Sequence, residues 1–337
     1  MTHRLLIGLT ICVSASSLVA AADDTAWTWA GMEILGNHGV PRSEIEKMIP
    51  IPMGGIYHRT DAPFWTEACA EVKTKFDFAS VDCGDRALRV FDGRKAFLIV
   101  DIVEKGREDL LKFREAPSGS VPFANDEMVA LSDELGSKSM AAAMAGHGYG
   151  EHGDKGYLSY EDSTGSNEDL GPAVKRLTQL VPQHLDNIFD VLQHEKDPKQ
   201  RQKAANLLNW AGGDLEHTIR RSLPLLDDPD QGVRNDLSRF MIHFVGMVPS
   251  KRLRHQMIAA FVDEIVRPSH GDRNKGLYNL LEIAKARPDD RGYIRSHGTE
   301  SIRYLAENSI IFNVKGPAEE LLALLDPTAK PETAGSS

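Results

Sequence analysis

Within the glycine-rich run from Gly146 to Gly156, His147, Glu151, His152 and Asp154 supply the nitrogen and carboxylate donors that bind divalent metals and activate water. A secreted metal-dependent hydrolase is the enzymatic reading of that spacing. A glycine-rich stretch gives such donors no helix or strand to fix their geometry, so residues 146–170 read better as a solvated linker, and no metal ligand is assigned. His184, His194, His217, His243 and His255 are scattered over expected helices at spacings that do not converge. The chain carries no Gly-x-Ser-x-Gly, His-Glu-x-x-His or Gly-Lys-Ser motif. The paired acids Asp227-Asp228 and Asp289-Asp290 fall at expected helix ends, where capping explains them. No catalytic residue and no cofactor is therefore expected.

Cysteine chemistry depends on compartment. His3 and Arg4 precede the apolar run Leu5 to Val13, and Val19-Ala20-Ala21-Ala22 follows, which reads as a Sec-type signal over residues 1–22 and predicts a periplasmic protein. An uncleaved anchor is the alternative, weakened by a short apolar stretch broken at Ser14, Ser16 and Ser17. Cys12 leaves with the signal. In an oxidising compartment the two remaining cysteines, Cys69 and Cys83, predict a disulfide; two unlinked buried thiols are the other possibility, and no Cys-x-x-Cys spacing suggests redox catalysis. No later segment approaches membrane-spanning length, so stable membrane insertion is not expected after cleavage. With 39 Lys plus Arg against 49 Asp plus Glu, and the acidic excess in the first half, nucleic acid is a poor partner.

The apolar run Met32-Glu33-Ile34-Leu35 ends at Gly36-Asn37 and Pro41, as a strand would. Ser43 and Glu46 have capping-box spacing at a helix start. After Met53-Gly54-Gly55, Asp61 and Pro63 mark a second helix start, with Trp65, Ala68, Cys69, Val72 and Phe76 at helical spacing. Phe78 to Val90 turns extended, Asp92-Gly93 favours a tight turn, and Lys95 to Glu104 has the β-branched density of a buried strand.

This β-α-α-β-β order resembles a POTRA domain, the periplasmic module found before outer-membrane barrels and in some division and secretion proteins. The resemblance rests on Ile34-Leu35-Gly36-Asn37, Ser43-Glu44-Ile45, Met53-Gly54-Gly55-Ile56-Tyr57, Phe78-Ala79-Ser80-Val81 and Leu98 to Glu104. The two cysteines and the lack of a following barrel depart from the family's pattern. The resemblance implies that the second strand is a partner-binding edge, here Ala79 to Leu88, with Ala79, Val81, Asp82, Arg86 and Leu88 on it, and that the partner is an envelope or outer-membrane protein adding a strand.

Asn125 to Ala145 can form a helix, after which the glycine-rich stretch begins. From Pro172 onward the pattern is helical pairs. Leu177 to Leu192 precedes a break at Asp197-Pro198, and Leu215 to Leu226 precedes one at Asp228-Pro229. Aligning Asp197 with Asp230 places Arg201 on Arg234, a period of about 33 residues, within the range of helical solenoids. Asp228-Pro229-Asp230-Gln231-Gly232-Val233-Arg234 resembles the inter-helix turn of HEAT-like repeats, which implies that Asp230 and Arg234, and less closely Asp197 and Arg201, are structural residues pairing between successive repeats.

The expected organisation is a signal peptide (1–22), a POTRA-like α+β domain (27–105), a helical and glycine-rich linker (106–172), an all-α HEAT-like repeat domain (173–327) and a tail (328–337). The expected function is a non-enzymatic periplasmic adaptor or scaffold. The alternatives are the metal-dependent hydrolase and a membrane-tethered division or secretion component. Oligomeric state does not follow from the sequence.

Overall fold

A computed structural model describes residues 27–58, 63–90, 93–144 and 171–326. The expected signal, the glycine-rich run with His147, Glu151, His152 and Asp154, and the expected tail fall outside them. The chain divides into two compact units, one of residues 1–112, 266–270 and 300–337, the other of residues 113–265 and 271–299. The fold is α+β, with a small four-stranded sheet in the N-terminal region and a largely helical C-terminal region.

In the first unit, β1 (Trp27–Leu35), α1 (Arg42–Met48), β2 (Ile56–Tyr57), α2 (Trp65–Lys75), β3 (Ser80–Val90) and β4 (Gly93–Val103) follow in order. The sheet order is β2-β1-β4-β3, with β1 parallel to β4 and the other pairs antiparallel. Relative to the expected β-α-α-β-β module, β2 is an addition. The turn read between the helices is tied to β1, where Trp29 N–H donates to Gly55 O at 3.0 Å and Gly54 N–H to Trp29 O at 2.9 Å.

Alternation sorts the strands' side chains onto two faces. Ala96, Leu98, Val100 and Ile102 of β4 join Trp29, Met32 and Ile34 of β1 in one core with Ile45 of α1 and Trp65, Cys69 and Val72 of α2. A register shift between Trp29 and Gly31 keeps Trp29 on that face. Gly36, at φ +83°, is required at the end of β1, because a Cβ there would lie 2.0 Å from Ile102 O.

The helix starts differ from the capping-box expectation. Helix α1 begins after Pro41, which is extended (φ −56°, ψ 128°) and makes no side-chain cap, so Ser43 already lies inside the first turn. Glu46 instead accepts from Arg42 Nε at 2.7 Å. Cys69 and Cys83 are joined, tying α2 to β3 across 14 residues of chain. A loop of that length stabilises the fold by about 3 kcal/mol on the chain-entropy argument.

The opposite face of the sheet is covered by C-terminal residues of the same unit. Ile311 packs on Phe97 and Ile99. Glu33, fully buried on β1, accepts from Ser309 Oγ and from the N–H groups of Ile310 (3.1 Å) and Ile311 (3.3 Å), with His270 Nδ1 3.8 Å from its other oxygen. Gly36 N–H donates to Tyr304 Oη at 2.8 Å. The sequence places these residues in the expected repeat domain (173–327), whereas residues 300–337 belong to the same compact unit as the sheet. A charged side chain in an apolar strand needs donors, and the 309–311 turn provides them.

The second unit holds α3 (Asp126–Met144), α4 (Gly171–Leu180), α5 (Leu185–His194), α6 (Pro198–Leu207), α7 (Leu215–Ser222), α8 (Gln231–Ile242) and most of α9 (Lys251–Val266) and α10 (His270–Ala286). Helices α11 (Arg291–Asn308) and α12 (Phe312–Leu325) complete the described chain. The expected linker contributes to this unit. Arg114 reaches Leu192 O and Asp228, Ala124 N–H reaches Asn187 Oδ1 at 2.8 Å, Arg176 pairs with Glu127 at 2.7 Å, and Met128 and Leu135 are buried.

Candidate interaction surface

Strand β3 ends the sheet, and among the described residues no strand lies beyond it. The hydrogen-bond phase decides which of its backbone groups face outward. Ala79 N–H donates to Val103 O at 2.9 Å, so the Val103 carbonyl points at β3. With Ser80 opposite Val103 and an unbroken register to Val90 opposite Gly93, the even-numbered residues of β3 bond inward to β4. Val81, Cys83, Asp85 and Ala87 therefore turn their N–H and C=O groups to the free edge.

The expected edge residues separate on this basis. Val81 presents its backbone outward while its side chain packs against the α1–α2 core. Asp82 and Arg86 direct their backbone inward and place their side chains on the face away from those helices, with Asp82 exposed and Arg86 half-buried. Ala79 precedes β3 and its N–H is taken by Val103, so it is not an outward donor. Leu88 lies on β3 with its backbone in the inward phase. Sequence reasoning missed Cys83 and Asp85 as outward-facing positions, because the phase depends on pairing with β4.

The helical turns are a structural device. Arg201 donates Nη1 to Glu195 O (2.8 Å) and Lys196 O (3.1 Å), and its Nε and Nη2 to Asp228 at 3.0 and 2.8 Å. Arg234 repeats this with Asp228 O (2.7 Å), Pro229 O (3.2 Å) and Asp272 (2.7 Å). Arg254 repeats it again with Val248 O (3.0 Å), Pro249 O (2.7 Å) and Asp290. The acids expected to pair, Asp197 and Asp230, instead cap helices, accepting from Lys199 N–H (2.9 Å) and Val233 N–H (3.0 Å). A carboxylate at the cap position is committed to its own helix's first-turn donors, which leaves the arginines to acids further along the chain. The third member was legible in part: Pro249 stands five residues before Arg254, as Pro229 does before Arg234.

Glu195 and Asp236 in this unit are displaced by their surroundings. The Asp197 and Val121 N–H groups hold Glu195 below the usual carboxylate range, although burial opposes them. Burial pushes Asp236 up, against Arg239, Asn235 and Asn206.

A second cluster was not anticipated. His255 stacks on Tyr293 with ring centres 3.8 Å apart, and Tyr293 on His297 at 4.0 Å. His255 Nε2 lies 3.3 Å from Asp290 Oδ1, while Ser296 Oγ lies 2.9 Å from His297 Nδ1. The carboxylate thus touches one imidazole and the hydroxyl another, so no single histidine links the two as in a Ser-His-Asp triad. Among the described residues no group of three or more His, Cys, Asp or Glu side chains could hold a metal ion. Nor is any described helix long and apolar enough to cross a membrane.

Fold and surface together define an α+β chain with a disulfide-tied sheet, an open strand edge and a largely helical region. Compared with known protein families, curated proteins and solved structures, the chain returns no match.

Proposed function

We propose that this chain is a non-enzymatic adaptor of the periplasm that binds an envelope protein by adding one of its extended segments to β3. The observation that carries this reading is the open edge of β3, where Val81, Cys83, Asp85 and Ala87 offer backbone donors and acceptors on a strand tied to α2. The order of the first unit supports it through its resemblance to a POTRA domain. The disulfide is compatible with an oxidising compartment. The helical region, with its resemblance to HEAT-like repeats, offers a second surface for another protein.

The test separates backbone from side chain. Val81→Pro and Asp85→Pro each remove an outward N–H, whereas Val81→Ala and Asp85→Ala keep it. With a photo-crosslinking residue at Ser80 and intact cells, the adduct to an envelope protein should disappear in the Pro variants and persist in the Ala variants. Each variant must retain the Cys69–Cys83 bridge and a melting temperature near wild type to count. Adducts that survive in well-folded Pro variants would reject strand addition and move attention to the helical surface.

A further inference from the structure

Asp82 and Arg86 point to a particular occupant for the open edge. Their side chains share the face of β3 away from α1 and α2, with Gly84 midway between them. Neither makes an ion pair or side-chain hydrogen bond among the described residues, and Arg86 Nε is buried with no acceptor. Four residues of strand separate them by about 13 Å, too far to pair with each other. Opposite charges placed symmetrically about a glycine on a free edge are complementary to a second copy of the same strand.

We propose that two copies of this chain pair through β3 in antiparallel register centred on Gly84, with Asp82 of each facing Arg86 of the other. This deepens the reading of β3 as an open edge and rests on it. A twofold axis between antiparallel strands stands perpendicular to the sheet, so like faces meet and each residue before Gly84 opposes its counterpart after it. The outward-bonding residues Val81, Cys83, Asp85 and Ala87 then form the hydrogen-bonded pairs. Asp82, Gly84 and Arg86 fall at the non-hydrogen-bonded positions, where opposed side chains come closest. Two ion pairs form by symmetry. On the face that carries Asp82 and Arg86, a Cβ built on Gly84 would meet nothing within 4 Å.

Neighbouring registers lose this match. Centring on Cys83 sets Asp82 against Gly84 and Arg86 against Ser80. Centring on Asp85 opposes that carboxylate to its own copy, which is unfavourable for directly facing residues. The contact is a strip of one strand, so association should be concentration-dependent.

The experiment is sedimentation velocity of the disulfide-bonded chain over a concentration series, paired with amide hydrogen exchange. Wild type should pass from monomer to dimer, and the amides of Val81, Cys83, Asp85 and Ala87 should slow as the dimer forms. Asp82→Arg alone and Arg86→Asp alone should each weaken dimerisation at least about tenfold, because both place like charges opposite each other. The double exchange, D82R with R86D, should restore it. A chain that stays monomeric overturns self-pairing while leaving the edge open to another protein. A dimer indifferent to the single exchanges, or singles that the double variant does not rescue, overturns it equally. Slow exchange of those four amides already in dilute monomer would sink both this proposal and the open-edge reading.

Discussion

Asp272→Ala should destabilise the helical unit far more than a surface ion pair would. Asp272 and Arg234 are 1 % and 3 % exposed. Arg234 Nε and Nη2 reach the carboxylate at 3.0 and 2.7 Å, and the guanidinium also lies 4.2 Å over the Phe113 ring. Removing the acid leaves Nη1 on its two carbonyls but strips Nε and Nη2 of their acceptor in a site that excludes water. Breaking a buried pair from one side costs about 3–5 kcal/mol. The two carbonyl contacts that remain place the expected loss near the lower end, at about 3 kcal/mol. An exposed pair would give about 0–1 kcal/mol.

Urea unfolding followed by far-ultraviolet circular dichroism measures the loss. Intrinsic fluorescence should be read alongside it, because Trp210 belongs to this unit whereas Trp27, Trp29 and Trp65 belong to the other. Arg234→Met should cost a similar amount, since it takes the guanidinium away from the buried Asp272 carboxylate and uncovers the Asp228 and Pro229 carbonyls. The double variant should then lose clearly less than the sum, because neither charge remains to be stranded. A loss below about 1 kcal/mol for Asp272→Ala, or strict additivity of the two substitutions, would refute the account of the ladder as a buried, shared network.

Asp236→Asn should stabilise the protein at neutral pH but not in acid. Burial raises the Asp236 carboxyl, so the folded state keeps its proton to higher pH than the unfolded chain, and stability present below the ordinary Asp value of about 3.9 is lost as pH rises through the folded value. Melting temperatures of wild type and variant should therefore converge at low pH and separate toward pH 7, and a constant difference would count against it. Glu33→Leu should loosen the C-terminal residues that cover the sheet, because it withdraws the acceptor of Ser309, Ile310 and Ile311, whereas Glu33→Gln keeps an oxygen there. Limited proteolysis near residues 309–312 reads this out: cleavage should be faster in the Leu variant and close to wild type in the Gln variant.

Much of the local structure was legible because it depends on near neighbours in the chain. Trp65, Cys69 and Val72 bury at helical spacing, Gly36 closes β1, and the breaks at Pro198 and Pro229 start helices capped by Asp197 and Asp230. Two cysteines in a chain whose sequence reads as exported also predicted the bridge between α2 and β3. Tertiary structure alone decided matters that depend on which strands and helices meet. The outward phase of β3 follows from its register with β4, so no alternation within residues 80–90 could separate Val81 and Asp85 from Asp82 and Arg86 as backbone donors. Glu33 sits within the apolar run of β1, and its hydrogen bonds come from residues 309–311, more than 270 positions away. Asp228 and Asp272 pair with arginines 27 and 38 residues away. Such partners are chosen by packing, where a buried charge must find its counter-charge wherever the fold brings one, and spacing along the chain records only the caps that each helix makes for itself.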